Sequence, residues 1–338
     1  GGLGAQEGLE RDRLRELVSR IGWFRRDVEK MQQSDRWVVD QAADSGALAI
    51  KPLNPAPFLR HTVWDRGVRF ALLSATILDP EAYCRGVGLP SGRVRTVDVP
   101  HTFPLRQRPL FDVMVGEMTY EARAGTLPKM GELLVRLMAV HPDSKGLVHC
   151  HSYAIQEHLF EQLTAAGAAD RVIKHSTEDR DRLLAQWKHE SAPQVLLSVR
   201  MEEALDLHDD LCRWQLLCKA PYLNTRDSRV QHRLDAGAWD WYNRMALRRI
   251  IQACGRVVRS ADDYGETYIA DSSIGGLFDR TQQLMPSWFR EQVTAMREPE
   301  LPPYTDALEL VGGTRAHHDR TGRTDHRRGA LDGVWGDE

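Results

Sequence analysis

Gly146-Leu-Val-His-Cys-His-Ser-Tyr-Ala-Ile-Gln156 is the stretch that decides the fold. Gly146 to Cys150 is a short apolar run of the length a buried strand needs. Ser152 follows, and a serine hydroxyl accepts a hydrogen bond from a free N–H in the first turn of a helix. The helix it opens runs through Leu159, Phe160 and Leu163. Working outward, Leu133, Leu134, Leu137 and Met138 predict a helix before this strand. After it come a short strand at Arg171-Val-Ile-Lys, a helix marked by Leu183, Leu184 and Trp187, and a strand at Gln194-Val-Leu-Leu-Ser. Trp214-Gln-Leu-Leu-Cys is a further strand, turning at Pro221. Residues 227 to 259 read as mainly helical, and Glu266-Thr-Tyr-Ile-Ala-Asp271 closes the pattern as a strand. From about residue 127, strand–helix alternation predicts an α/β fold, a parallel sheet with helices on both faces. Ligands of such sheets bind beyond the carboxyl ends of the strands. Ser74–Thr76, His151–Tyr153, Ser198–Asp206 and Asp271 all fall there.

The part ahead of residue 127 reads differently. Leu14, Leu17, Val18, Ile21, Phe24, Val28 and Met31 keep a three-to-four spacing, which predicts a long amphipathic helix over residues 9–32. Strand signals follow at Trp37-Val-Val and Ala47-Leu-Ala-Ile-Lys-Pro. A buried strand is expected at Phe70-Ala-Leu-Leu, running into Ser74-Ala-Thr76, and Asp79-Pro80 starts a helix. Beyond Pro302 the pattern fades. Residues 313–338 are rich in Gly, Arg, His and Asp, and a solvated, disordered tail is expected, His317, His318 and His326 included.

Composition sets the outer limits. The chain has 338 residues, 42% hydrophobic and 28% charged, as in ordinary globular domains. Its net charge of -3 gives no global basic field, so nucleic acid would have to be bound by local patches. The five cysteines, Cys84, Cys150, Cys212, Cys218 and Cys254, are scattered and form no C-x-x-C pair. That argues against a disulfide framework or zinc ribbon and fits a reducing, cytoplasmic setting. No apolar run reaches membrane-spanning length, and no membrane partner is expected. The sequence begins at Gly1 rather than Met and reads as a fragment or a processed chain.

Chemistry concentrates in Gln252-Ala-Cys-Gly-Arg-Val-Val-Arg259, with Asp262, Asp263 and Gly265 behind it. On a helix, Gln252, Arg256 and Arg259 are spaced i, i+4, i+7 and share one face. Two guanidiniums and an amide on one stripe suit phosphate oxygens, and a solvated basic face suits the same pattern. Ser74-Ala-Thr76 also fits a strand end capping the next helix, and Glu203 and Asp206 also fit ordinary loop carboxylates. Trp239, Trp241 and Tyr242 fit base stacking or helix packing. His149 and His151 would share one strand face, but no third ligand with suitable spacing accompanies them, and no metal site is assigned.

Four segments taken in order sharpen this. They are Leu72-Leu-Ser-Ala-Thr-Ile77, Val148-His-Cys-His-Ser-Tyr153, Leu197-Ser-Val-Arg-Met-Glu-Glu-Ala-Leu-Asp-Leu207 and the Gln252–Gly265 segment. Together they resemble motifs III, IV, V and VI of the XPD/DinG branch of superfamily-two DNA helicases. Lys219-Ala-Pro-Tyr222, Asp271 and Met285-Pro-Ser-Trp-Phe289 extend the resemblance, which covers roughly residues 36–295. It implies a RecA-like sheet with an N-terminal helical remnant. Residues 1–35 would end an arch-like insertion, 36–100 would be the last strands of a first motor domain, 101–300 the second motor domain, and 301–338 a tail. By the same resemblance, Arg256 and Arg259 are arginine fingers and Gln252 orients phosphate or water. Glu203, Asp206, Ser74 and Thr76 would couple the nucleotide to the domain interface, and Ser152, Tyr153 and Ser198 would contact single-stranded DNA. Two positions depart from the pattern: Ala204 stands where motif V has glycine, and Met245-Ala-Leu stands where a proline precedes motif VI.

The implied ligands are ATP and Mg2+. No G-x-x-x-x-G-K-[ST] and no Asp-Glu-x-His occur in the sequence. The main nucleotide ligands, and any iron–sulfur cluster of the family, are therefore expected in a missing N-terminal half, upstream or on a separate subunit. The expected activity is an ATP-dependent helicase moving five-prime to three-prime, with this chain inactive in isolation. A non-catalytic DNA- or protein-binding module and an unrelated α/β nucleotide-binding transferase are the alternatives.

Overall fold

The computed structural model describes residues 3–30, 37–41, 48–74, 76–99, 102–199, 207 and 209–313. The chain divides into two compact units. One comprises Gly1–His101, Pro221–Gln252 and Leu277–Phe289, and the other Thr102–Ala220, Ala253–Gly276 and Arg290–Glu338.

The first unit opens with α1 (Leu3–Lys30), followed by strands β1 (Trp37–Gln41) and β2 (Leu48–Pro52). These strands pair antiparallel, Trp37 opposite Pro52 and Gln41 opposite Leu48. Short helices α2 (Ala56–Thr62) and α3 (Pro80–Val87) follow. Asp79 starts α3 as the sequence predicts, its Oδ1 accepting the Ala82 N–H at 2.9 Å. The strand expected at Phe70–Leu73 does not form. That segment carries no secondary structure, and Leu73 is 95% exposed. An apolar run forms a strand only where a partner strand takes its backbone groups, and among the described residues none does.

The second unit is built on β3 (Leu110–Gly116), α4 (Arg123–Val140), β4 (Gly146–His149), α5 (Tyr153–Ala165), β5 (Val172–Lys174), α6 (Arg180–His189), β6 (Val195–Ser198) and β7 (Trp214–Leu217). Two helices of the first unit intervene in sequence, α7 (Ser228–Asp235) and α8 (Trp239–Cys254), before β8 (Glu266–Asp271). Then come α9 (Ser273–Thr281), α10 (Ser287–Thr294) and α11 (Tyr304–Gly312). The six strands form one sheet in the order β3-β8-β7-β4-β6-β5, and every pairing is parallel. This is the predicted RecA-like α/β sheet.

Its strands are apolar on both faces because both faces are covered. Val148, Val195, Leu197, Trp214 and Leu216 join a core with Met130, Leu134 and Leu137 of α4, Leu159 of α5 and Ala307 of α11. Leu147 and Leu196, the alternate residues, join a second core with Trp187 of α6, Leu207, Cys212, Val257 and Val258. Helix α11 corrects the expectation of a tail from residue 301: Ala307 and Val311 are buried against α4. The rest of the expected tail, with His317, His318 and His326, lies outside the described residues.

Candidate nucleotide and DNA site

In the first unit, α8 is held by the buried residues Ala246, Leu247, Ile250 and Ile251. These place Gln252, two residues from the helix end, within reach of Thr76. Gln252 Nε2 donates to Thr76 Oγ1 at 3.1 Å, and the Thr76 N–H donates to Ser74 Oγ at 3.2 Å. Gln252 Oε1 is buried and accepts no hydrogen bond among the described residues. Nearby, Arg244 Nη1 donates to Asp79 Oδ2 at 3.0 Å, tying α8 to the cap of α3. Ser74 and Thr76, singled out as one segment, and Gln252, singled out in another, are thus one hydrogen-bonded group.

The predicted helical stripe of Gln252, Arg256 and Arg259 does not exist. Helix α8 ends at Cys254, where the Arg256 N–H closes a turn onto Ala253 O at 3.1 Å. Val257 and Val258 then enter the core with Leu147, Leu196 and Trp187, and burial of two β-branched residues outweighs continuation of the helix. Gly265 is needed beside them: a Cβ there would lie 2.7 Å from the Val257 Cβ. The two arginines consequently differ. Arg256 is 9% exposed, whereas Arg259 is exposed at the surface of the second unit.

The backbone of that turn is anchored by Asp263, which is 1% exposed. Its Oδ2 accepts the Arg259 N–H at 2.9 Å, and its Oδ1 accepts the Tyr264 N–H at 2.9 Å and Arg213 Nη1 at 2.7 Å. Sequence reading passed over Arg213, which follows an irregular stretch and carries no motif. It passed over Gln215 as well, a polar residue inside an apolar strand. Gln215 donates to Ala253 O at 3.0 Å and Thr267 Oγ1 at 2.8 Å, and His149 Nε2 lies 3.1 Å from its Oε1. With both amide protons committed, the oxygen accepts and His149 Nε2 carries the hydrogen. His149 is thus engaged in this buried network, and β4 ends there. His151, with φ 65°, lies beyond the strand, so the expected shared face of His149 and His151 is absent.

At the carboxyl ends of β4, β5 and β6, Ser152 caps α5 as predicted, its Oγ accepting the Ile155 N–H at 3.4 Å. Tyr153 OH lies 3.0 Å from Thr177 Oγ1, with its ring edge-on to His175. His175 Nε2 accepts the Val199 N–H at 3.1 Å, which makes Nδ1 the protonated nitrogen, donating to Ser176 O at 2.8 Å. The Asp179 carboxyl is held below its usual range, first by the Ser176 N–H and then by the Ser176 hydroxyl. Ser198, expected to touch DNA, is 1% exposed, and its hydroxyl is buried without a hydrogen-bond partner among the described residues. Glu203, Ala204 and Asp206 lie outside the described residues. The aromatic cluster mostly packs: Tyr242 stacks on Tyr222 at 5.0 Å and donates to Leu223 O at 2.9 Å, and Trp241 lies under the Arg233 guanidinium. Trp239 is exposed.

Residues 134–292 match the family model described as a helicase C-terminal domain. The chain is 26% identical over 296 residues to the regulator of telomere elongation helicase 1 homolog of Caenorhabditis briggsae, covering 74% of this chain and 29% of that protein. It is 26% identical over 182 residues to the XPD/RAD3 helicase subunit of the general transcription and DNA repair factor IIH of Saccharomyces cerevisiae, covering 48% of this chain and 23% of that protein. The chain therefore spans well under half the length of these relatives. Among solved structures, an XPD helicase superposes over 79% of this chain and 49% of its own, with a TM-score of 0.55 and 15% identity. An apo form of XPD covers 79% of this chain and 55% of its own, with a TM-score of 0.54 and 16% identity.

Proposed function

We propose that this chain, whose residues 134–292 match the helicase C-terminal domain family, carries the second motor domain of an XPD-like, ATP-dependent DNA helicase. In this reading residues 101–300 are that domain, 36–100 belong to a first motor domain, and 1–35 end an arch-like insertion. The division of the chain at His101 and Thr102 supports the first boundary, but Pro221–Gln252 and Leu277–Phe289 group with the first unit and depart from an unbroken second domain over 101–300. The motor moves five-prime to three-prime along single-stranded DNA.

One observation carries the chemical part: an exposed arginine whose backbone is clamped by a buried carboxylate. An exposed guanidinium can be reached by a phosphate, and a fixed backbone lets it act without reorganising. Arg259 and Arg256 are the fingers toward the γ-phosphate of ATP, with exposed Arg259 the principal one. The Gln252–Thr76 pair carries the nucleotide state between the Ser-Ala-Thr segment and α8. Ser152 and Tyr153, at the strand ends, face the DNA backbone, where hydroxyls and N–H groups suffice. The phosphate loop is supplied by a first motor domain, on a longer chain or a separate subunit. In this reading the main ligands of ATP and its magnesium lie in that first motor domain.

The test is DNA-stimulated ATP turnover of the full-length protein. Arg259→Ala is expected to lower kcat by about a thousandfold while thermal unfolding is unchanged, since the side chain is exposed. Arg256→Ala is expected to lose turnover and some stability. Wild-type turnover in both variants would refute the finger assignment; no turnover by the unmutated protein, with DNA binding retained, would favour the non-catalytic module.

A further inference from the structure

We propose that the ion pair between partly buried Arg213 and buried Asp263 is a positioning brace for Arg259, fixing the approach of its guanidinium to a nucleotide phosphate. The proposal rests on the finger reading of Arg259 given above.

The segment from Gly255 to Tyr264 has no helix or strand to hold it. Val257 and Val258 anchor its first half by burial. Its second half is anchored by one carboxylate. Asp263 accepts the N–H groups of Arg259 and Tyr264, and Arg213 completes its coordination at 2.7 Å. A buried carboxylate is costly unless paired and hydrogen-bonded, and here both oxygens are engaged.

Arg213 is itself fixed. Its own N–H donates to Lys145 O at 3.1 Å, and its carbonyl accepts the Glu266 N–H at 2.9 Å, so its backbone is stitched between β4 and β8. Its Nη1 also donates to Tyr264 O at 3.0 Å, its Nε donates to Asp210 Oδ1 at 2.9 Å, and the Tyr264 ring covers the guanidinium at 4.2 Å. The sheet therefore positions Arg213, Arg213 positions Asp263, and Asp263 positions the Arg259 backbone. The brace has a second consequence, which is electrostatic. An unpaired Asp263 would offer Arg259 a carboxylate in place of a phosphate, and Arg213 neutralises that competitor.

The experiment uses the full-length protein and reads kcat and KM for ATP in DNA-stimulated hydrolysis, alongside thermal unfolding. Arg213→Ala, assayed well below its own Tm, is expected to lose about 10- to 100-fold in kcat, with KM for ATP changed less than about twofold. Arg213→Lys keeps the charge and loses the fork; it is expected to fold and to fall between Arg213→Ala and wild type. In an Arg259→Lys background, expected to keep measurable turnover because the charge is retained, Arg213→Lys is expected to cost less than about twofold more, because the group it positions is already altered. A merely structural role would cost the same factor in both backgrounds, and that result overturns the brace. So does wild-type kcat in folded Arg213→Lys and Arg213→Ala while Arg259→Ala is inactive. Wild-type turnover of Arg259→Ala overturns the finger reading itself and the brace with it.

Discussion

Asp271 ends β8 with both carboxylate oxygens committed to backbone donors. Oδ1 accepts the N–H groups of Met118 at 3.1 Å and Ser273 at 2.9 Å, and Oδ2 accepts that of Ala220 at 2.8 Å. One side chain thus joins the exits of β3, β7 and β8. Burial lowers the pKa of neighbouring Lys219, which Asp271 partly offsets. Asp271→Asn replaces one acceptor with a donor facing a donor. A loss of about 2–4 kcal/mol is expected from denaturant unfolding of the second unit; a loss below about 0.5 kcal/mol would show that these bonds are dispensable. The residue scale also separates what was legible in the sequence from what was not. Ser152 and Asp79 were legible because cap chemistry is local, with partners three residues away. Arg213 was not, because its partner Asp263 is fifty residues on and nothing local marks Asp263 as buried. Ser198 sits where the sequence placed it, at a strand end, but its side chain turns inward.

At the scale of elements, the close approach of β4 to β7 depends on a missing side chain. A Cβ on Gly146 would lie 2.2 Å from the indole of Trp214, which is fully buried opposite it in the sheet. The indole is the rigid part of its side chain, held in stacking contact with His141 at 5.2 Å. Gly146→Ala is therefore expected to destabilise by about 1–3 kcal/mol, measured as a shift in denaturant midpoint at constant slope. A stabilised variant would mean that the indole moves freely. Sequence periodicity recovered five of the six strands of this sheet because each buried strand is a short apolar run between breakers. It missed β3, whose run is interrupted by Asp112 and whose pairing with β8 is remote in sequence. It missed α11 although Tyr304, Ala307, Leu308 and Val311 keep helical spacing, since nine residues give a weak signal without the α4 surface they cover. It carried α8 too far, because periodicity does not register that Val257 and Val258 are claimed by another core.

For the molecule as a whole, two compact units make one stability figure inadequate, so pH dependence has to be read unit by unit. The second unit holds an acidic group whose sign can be worked out. Glu266, at the start of β8, accepts a hydrogen bond from the Tyr268 hydroxyl, and His141 Nε2 lies 3.4 Å from its Oε2. Burial disfavours the Glu266 carboxylate, yet the His141 hydrogen bond and charge, with the Tyr268 hydroxyl, hold its pKa below the ordinary value of 4.5. The same burial and the adjacent carboxylate push Tyr268 up. A carboxyl whose folded pKa is depressed contributes stability that is fully present above its unfolded value and is lost as pH falls through its folded value. Hydrogen exchange of the β7 and β8 amides reports the second unit alone. Wild-type protection is expected to be constant from about pH 7 to about pH 5 after correction for intrinsic exchange, and to fall on further acidification. In Glu266→Gln, protection is expected to be lower at neutral pH, and the gap to wild type is expected to close on the acid side. A gap that stays constant through the carboxylate range would show that the charge of Glu266 contributes nothing to the fold.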